Sequence, residues 1–458
     1  MQFDFRKKAD REFIGREILR FKASEKRRLM LLGEDYFAGR HDIVYRKRAV
    51  IGEAGELETA RNLPDNKAVD NQYRKLVNQK ANYILGQPLT FRAGDGDYRA
   101  KLAAVFDKGF MRMMKNVAKD AYNHGIAWIY LYYEKGALKF KRLKGCEIIP
   151  GWRDFEHTRL DYAIRIYETA DCSGGDEKAV ERAEVFDGAG VHYFRLDDDK
   201  PVSVPPYRAS YITVAGNGFA REYNWEKIPL IAFKRDGDET PLISSVKSLQ
   251  DGLNLILSNF WNAMEEDPRN TLLVLVNYDG EDLSEFRRNL AAYGAVKVRS
   301  VDGAAGDLKT LRVEVNADNY RAIIEIFKRA VIENGMGFDA KDSRVLGGGN
   351  PNQMNIQSMY SDIDLDANEI ETEFQAALAE TLWFVNRSLE HGGFAGSKNA
   401  EFIFNRDMML NEGQIIDNCV KSLALLSEET VIANHPWADD ISGEMRRKSA
   451  RRIPPLDR

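Results

Sequence analysis

"RVLGGGNPNQMNIQSMYSDIDLD", Arg344–Asp366, is the stretch on which the reading of the whole chain turns. Three glycines and a proline lead into carboxylates two residues apart. A phosphate cradle, a calcium loop and a hinge feeding a long helix all start from such residues. A phosphate loop requires G-x-x-x-x-G-K-[ST] between a strand and a helix. Here Asn350-Pro351-Asn352-Gln353 follow the glycines, and a helical pattern precedes them. For calcium, Asp362, Asp364, Asp366 and Glu373 fall on positions 1, 3, 5 and 12 of an EF-hand loop. Ala367, however, stands where that loop needs glycine for its sharp turn, and Glu369 stands where it carries an apolar residue. The stretch therefore reads as a flexible loop with Lys341 and Arg344 on it, followed by a helix with a solvated acidic face. Glycine admits many backbone conformations at no steric cost.

Downstream, Ile356, Met359, Ile363, Ile370, Phe374, Leu378, Leu382 and Val385 keep one stripe at helical spacing as far as Gly392-Gly393. A continuous helix over about 40 residues is roughly 60 Å long and needs partners along its length. Upstream lie two more amphipathic helices. One carries Val246, Leu249, Leu253, Ile256, Phe260 and Met264 and stops at Pro268. The other carries Tyr320, Ile323, Ile324, Phe327 and Val331. Between them "TLLVLVNY", "EDLSEFRRNLAAYG", "AVKVRS" and "LKTLRVEV" read as strand, helix, strand and strand. The layout is a helical stem with a small αβ module at its tip. Phe260, Trp261 and Phe327 are expected to pack between the stem helices.

Further toward the N-terminus, residues 8–37 are expected to be helical and "IGEAGELETARNLPDNKAVDN" an exposed loop. Tyr73, Leu76, Val77, Tyr83 and Ile84 share a helix face that Gly86 and Pro88 end. From about 110 to 240 a helix, a hairpin turning at Lys135-Gly136 and further strands make a β-rich module. After the long helix come a strand, "AEFIFNRD", a helix capped by Asn411 with Gln414 three residues on, and a short helix ended by Pro436. His435 is expected to be a helix-end structural group. The basic end, "EMRRKSARRIPPLDR", is expected to be disordered and solvated.

With 458 residues the chain exceeds one compact domain, so two to four modules are expected. Hydrophobic residues at 44% and charged ones at 30% fit a soluble globular protein. No apolar run spans a bilayer, and "MQFDFRKKADREF" has no signal-peptide core. Cys146, Cys172 and Cys419 form no CxxC pair, which points to a reducing cytosol and away from disulfides or a zinc ribbon. The formal net charge of −5 excludes a tight static grip on nucleic acid, because each neutralised phosphate adds affinity. It leaves room for a protein that DNA passes without sticking.

Four segments, in this order, carry a resemblance to bacteriophage portal proteins of the SPP1 type. They are "DYFAGRHDI"; "NQYRKLVNQKANYILGQPLTF"; the stem–insert–stem block ending in "GGGNPNQMNIQSMYSDIDLDANEIETEFQAALAETLW"; and "FIFNRDMMLNEGQIIDN". Each alone is weak, and the ordered set is specific. One departure is "NQMNIQ" at the start of the long helix, where the family often has small and basic residues. The resemblance implies an α+β, multi-module portal fold: a β-containing wing, a helical stem, a small αβ clip, a long linking helix and a helical crown. Its boundaries would be wing 1–243, stem helix 244–266, clip 267–317, stem helix 318–335, tunnel loop 336–351, long helix 352–399, and crown with basic tail 400–458.

The resemblance further implies a non-enzymatic ring, typically a dodecamer, at one capsid vertex of the virion and in host cytoplasm during assembly. Double-stranded DNA would pass through it on packaging and ejection. Partners would be copies of itself, non-specific DNA, the terminase large subunit, scaffold and major capsid protein, and a head-tail connector, with no membrane and no cofactor. Lys341, Arg344, Gly347, Gly348 and Gly349 would form the DNA-facing tunnel loop, and the terminal "RRKSARR" is a lesser candidate for DNA contact. The rivals are a metal-dependent hydrolase using Asp362, Asp364 and Asp366, and a structural adaptor that never meets DNA.

Overall fold

The computed structural model describes residues 2–51, 56–59, 63–171, 178–216, 219–266, 271–276, 307–312, 316–339, 353–396, 398–406, 412–438 and 441–452. It divides into two compact units. One comprises Met1–Ala38, Tyr73–Val246 and Ile332–Arg458; the other comprises Gly39–Gln72 and Lys247–Val331. Helix and sheet are both abundant and segregated along the chain, an α+β arrangement.

The run expected to be helical over 8–37 is so, as two helices, α1 (Lys8–Lys22) and α2 (Glu25–Ala38). Ser24 makes the break. Its hydroxyl donates to the Phe21 carbonyl and accepts from the Arg27 N–H, so a side chain replaces helical bonds at the junction. A short helix α3 (Asp42–Tyr45) and the antiparallel pair β1 (Ala49–Ile51) and β2 (Leu57–Thr59) follow.

Next come α4 (Gln72–Leu85), β3 (Thr90–Ala93), α5 (Gly96–Val105) and α6 (Lys108–His124). Tyr73, Leu76, Val77, Tyr83 and Ile84 are all buried on α4, as their spacing requires. Asp95 and Asp107 cap α5 and α6 by accepting backbone N–H groups of the first turn. Strands β4 (Ile126–Glu134) and β5 (Ala137–Leu143) form the hairpin, with Lys135 and Gly136 both at positive φ in its turn.

A five-stranded antiparallel meander follows: β6 (Ile148–Trp152), β7 (Leu160–Asp171), β8 (Lys178–Asp187), β9 (Gly190–Asp197) and β10 (Lys200–Ala209). Helix α1 lays Ile14 and Ile18 on its inner face against Ile164, Ile166, Val185 and Phe194. The pair β11 (Ile212–Gly216) and β12 (Phe219–Tyr223) precedes β13 (Leu230–Lys234), which pairs with β4 to complete a sheet ordered β13-β4-β5.

In the second unit, α7 (Ile243–Glu266) runs from its fifth residue onward. Here the expected exposed loop is corrected. Residues 66–70 lie extended along α7, zipped to a polar ladder. The N–H groups of Asn66, Ala68 and Asp70 donate to the side chains of Asn262, Ser258 and Asn254, and Gln250 donates to the Asp70 carbonyl. The ladder residues are four apart, one helical turn, and the N–H groups are two apart, one strand repeat, so the two periods run in register. All four ladder side chains are buried. The ladder holds the segment through its backbone, whatever its side chains, so polar side chains there do not make it a free loop.

The antiparallel pair β14 (Thr271–Val276) and β15 (Asp307–Arg312) belongs to the same unit. The helix and strand expected over 281–300 lie outside the described residues. In the helix Ala317–Asn334, Phe327 packs on Gly252 and Tyr320 meets Phe260 with ring centroids 4.8 Å apart. Trp261, expected to pack, is 51% exposed in the single chain, and its neighbour one turn on, Met264, is 48% exposed. Both lie on a side of α7 that neither the zipped segment nor the second helix covers.

The long helix is one element, Gln353–His391. From Tyr360 onward its stripe is buried, through Ile363, Ile370, Phe374, Leu378, Leu382 and Val385. Phe374 meets Phe233 of β13 edge-on, so part of its length is covered by the β13-β4-β5 sheet. Strand β16 (Ala400–Ile403) returns to pair with β3, closing a contact over some three hundred residues of chain. Helices Glu412–Ser422, Glu428–Ala433 and Ile441–Arg452 end the chain. The last corrects the expectation of a disordered basic end. It packs against Glu428–Ala433, and Lys448 pairs with Glu428 at 3.5 Å. His435 accepts the Trp437 N–H just past a helix end, a local structural role.

Candidate functional site

Lys341, Arg344, Gly347, Gly348 and Gly349 lie outside the described residues. The chain that leads into that segment from Asn334, and the long helix that leaves it, are described. A buried ionic knot holds them.

Helix α4 supplies the knot's first half. Its apolar face is interrupted by Lys80, whose side chain is fully buried. An unpaired charge there is untenable, because burial without a partner costs several kcal/mol. Lys80 Nζ lies 2.8 Å from Asp366 Oδ2 and donates to the Met336 carbonyl at 3.0 Å. Asp366 also accepts from the Tyr122 hydroxyl at 2.8 Å and lies 3.6 Å from the Arg235 guanidinium. Burial, resisted by the nearby Asp366, pushes the Lys80 amine down to about 8. Burial first, then the Asp366 charge, holds the Tyr122 hydroxyl far above its ordinary range.

One residue earlier on α4, Gln79 grips the backbone of Phe338 with both ends of its amide. Phe338 stacks on Tyr360, and Tyr360 on Tyr83, with centroids 4.4 and 5.8 Å apart. Tyr83 donates to Asp364, which Arg406 also holds at 3.1 Å while reaching Glu371 at 2.6 Å. A cleft of about 190 Å³ opens between Gln79, Asn82, Tyr83, Phe338, Tyr360 and Ile363.

This geometry bears on the three carboxylates of the hydrolase reading. They sit on an uninterrupted helix, where successive pairs point about 200° apart and cannot converge on one ion. Asp364 is bound to Tyr83 and Arg406, and Asp366 to Lys80 and Tyr122. Two of the three carboxylates are thus already neutralised by the chain's own cations and hydroxyls. The EF-hand spacing in the sequence is a coincidence of helical periodicity.

The histidines and cysteines, scattered in sequence, are not all scattered in space. Among the described residues, Glu34, His124 and Cys146 gather with ligand-type atoms within 4.8 Å of one another. His124 Nδ1 accepts the Gly145 N–H at 3.3 Å, so the ring proton sits on Nε2. Nε2 lies 3.1 Å from Glu34 Oε1, and Lys144 lies 2.8 Å from the same oxygen. A protonated Nε2 offers no lone pair, and burial pushes the Cys146 thiol up to about 12. The cluster is an internal polar anchor for α2 and α6, not a metal centre.

Burial opposes ionisation of Glu34, but His124 and Lys144 overcome it and hold the carboxyl at about 2. Because the folded value lies below the unfolded one, the stabilisation is complete above about pH 4.5 and is lost as pH falls toward 2. Glu34→Gln is expected to lower stability by at most about 3 kcal/mol at neutral pH. In urea titrations the gap between wild type and variant should close between about pH 4.5 and 2. A gap that stays constant across that range would refute the assignment.

These features define a class first: a mixed α+β, multi-module protein whose strongest polar constellations brace the chain internally. No described helix is long and apolar enough to cross a membrane. Residues 20–452 match the family model described as phage portal protein, SPP1 Gp6-like. The portal protein of Clostridium phage phiCD119 is 25% identical over 429 residues, covering 91% of each chain. The portal protein of Bacillus phage SPP1 is 24% identical over 428 residues, covering 91% of this chain and 82% of that one. The chain belongs to the SPP1 Gp6-like family of phage portal proteins.

Proposed function

We propose that copies of this chain close into a ring, a dodecamer, at one vertex of a phage head. Double-stranded DNA enters through its bore during packaging and leaves through it on ejection. The observation that carries this reading is the family match over nearly the whole chain. In the ring, residues 1–243 form the wing, 244–266 and 318–335 the stem, 267–317 the clip, 352–399 the long linking helix and 400–458 the crown. The terminase large subunit docks on the clip side and later gives way to the head-tail connector, while scaffold and major capsid protein surround the wing.

Two features support the reading. On the unit that carries the stem helices, Trp261, Met264, Ile323 and Ile326 are exposed on a single chain, an apolar set that a neighbouring copy would cover. The net charge of −5 disfavours a bore that traps a polyanion. Residues 336–351 serve as the tunnel loop, with Lys341 and Arg344 touching phosphates transiently and Gly347, Gly348 and Gly349 giving it freedom. The knot of Lys80, Asp366 and Gln79 holds the chain leading into that segment, at Met336–Phe338, and the long helix beyond it.

Electron microscopy of the purified protein tests the ring, and an annulus with an open centre is the expected result. A compact monomer under every assembly condition would end the proposal. Deleting Lys341–Gly349 should leave the annulus intact while reducing DNA packaging at least tenfold. Undiminished packaging would remove the loop from the mechanism.

A further inference from the structure

Helix α6 carries a second, unassigned basic feature. Lys108, Arg112, Lys115 and Lys119 follow one another at spacings of four, three and four, so they form one row along a single helix face. The row is about 16 Å long at 1.5 Å per residue. The opposite face, with Phe110, Met114, Val117, Ala118 and Ala121, is buried, so the row points outward.

Several surface cations elsewhere are paired within their own helices: Lys8 with Glu12, Arg28 with Glu25, Lys247 with Asp251, Arg387 with Glu390. Among the described residues, none of the four on α6 has such a partner. The acids of α6 and its cap are committed elsewhere, Asp107 as the helix cap and Asp120 to Arg142. Lys119 and Arg74 both lie over the Phe37 ring, 6.0 and 5.5 Å from its centroid, which fixes two cations side by side. Burial, and then the charges of Lys115 and Arg74, press the Lys119 amine below its ordinary value.

We propose that this row binds the phosphate backbone of duplex DNA, without regard to sequence, at a place separate from the tunnel loop. The inference rests on the reading that this protein meets DNA. A protein partner fits less well: protein interface cores are depleted in lysine and built on aromatic anchors, and no exposed large apolar residue lies on α6. A row about 16 Å long spans roughly four to five phosphates of one strand, which succeed one another every 3.4 Å of duplex axis.

The test uses the full chain and a covalently closed circular duplex, which a preformed ring cannot thread, so binding reports the outer surface alone. Four phosphate contacts predict a slope of log affinity against log salt of about −3.6, or roughly 150-fold weaker binding on going from 50 to 200 mM. Arg112→Ala with Lys115→Ala should halve the slope to about −1.8, or roughly 12-fold. Lys8→Ala with Arg20→Ala, two exposed cations on α1, should leave it unchanged, and the exchange Arg112→Lys with Lys115→Arg should preserve it. Equal slopes for wild type and the α6 variant would overturn the proposal, as would no binding at low salt. Normal DNA binding combined with weakened self-association in sedimentation would overturn it too, naming a second copy as the occupant. A particle without a central hole would defeat the portal reading but would leave this measurement standing.

Discussion

Asp366→Ala is expected to cost about 3–5 kcal/mol, because it takes the close carboxylate from the buried Lys80 and one of two carboxylates from Arg235. Lys80 is left with only the Met336 carbonyl, and Arg235 loses its contact across the knot. Tyr122 loses its acceptor as well. The cost arises from uncompensated charge, not lost volume, and this separates it from an ordinary cavity. Lys80→Met combined with Asp366→Leu should recover most of the loss, since Arg235 keeps Asp236 at 3.5 Å and the Thr240 carbonyl. The sign of the pH dependence follows from the Lys80 amine lying near 8 when folded, below its ordinary 10.5. Between those values the unfolded chain holds the proton that the folded chain has released, so stability rises with pH. Removing Asp366 removes the charge that favours the ammonium and presses the Lys80 amine lower still, so the deficit should shrink as pH rises toward about 8 and stay level from there to 10. Chemical denaturation followed by circular dichroism measures all of this. A loss under about 1 kcal/mol for Asp366→Ala would show that the knot is wet and weak.

Gly125→Ala is the second large effect. Gly125 caps α6 at φ +77°, and an added Cβ would stand 1.9 Å from the Glu239 carbonyl oxygen and 2.3 Å from its carbon. Left-handed backbone costs alanine about 1–2 kcal/mol. The clash is with backbone, so the 235–240 loop must move. That loop carries Glu239, buried among Lys26, His157 and Lys234, and Arg235, whose N–H donates to the Gly125 carbonyl. A total of about 3 kcal/mol or more is expected, with a drop in soluble yield. Gly136→Ala provides the control: its φ is +78°, but nothing lies within 4 Å of the new Cβ, so only the backbone cost of about 1–2 kcal/mol should appear. Equal losses at the two glycines would mean that the close approach at Gly125 relaxes freely.

The long helix shows how far periodicity carries. Its stripe from Ile363 to Val385 is legible in sequence because one face meets a continuous apolar partner, so burial and spacing coincide. The five apolar positions of α4 are legible for the same reason. Lys80 on that same face is not, since its partner Asp366 lies nearly three hundred residues away and reads in sequence as one of a solvated acidic row. The segment 66–70 fails differently. Its side chains show no pattern of burial, because α7 receives its backbone with asparagine, serine and glutamine. A polar residue every fourth position on α7, at 250, 254, 258 and 262, was the available sign.

Sequence by itself determined many of the helices and strands among the described residues, the helical nature of the 353–391 stretch, the two amphipathic helices flanking 271–312, and the family. These rest on local periodicity and on ordered motifs, which need no knowledge of distant neighbours. Tertiary structure alone decided which charges are internal: that Asp364 and Asp366 are neutralised, that Glu34, His124 and Cys146 meet, and that the α6 row of cations finds no ion pair among the described residues. The reason is that a charge takes its meaning from what lies within a few ångströms of it, and chain folding, not chain order, sets those distances.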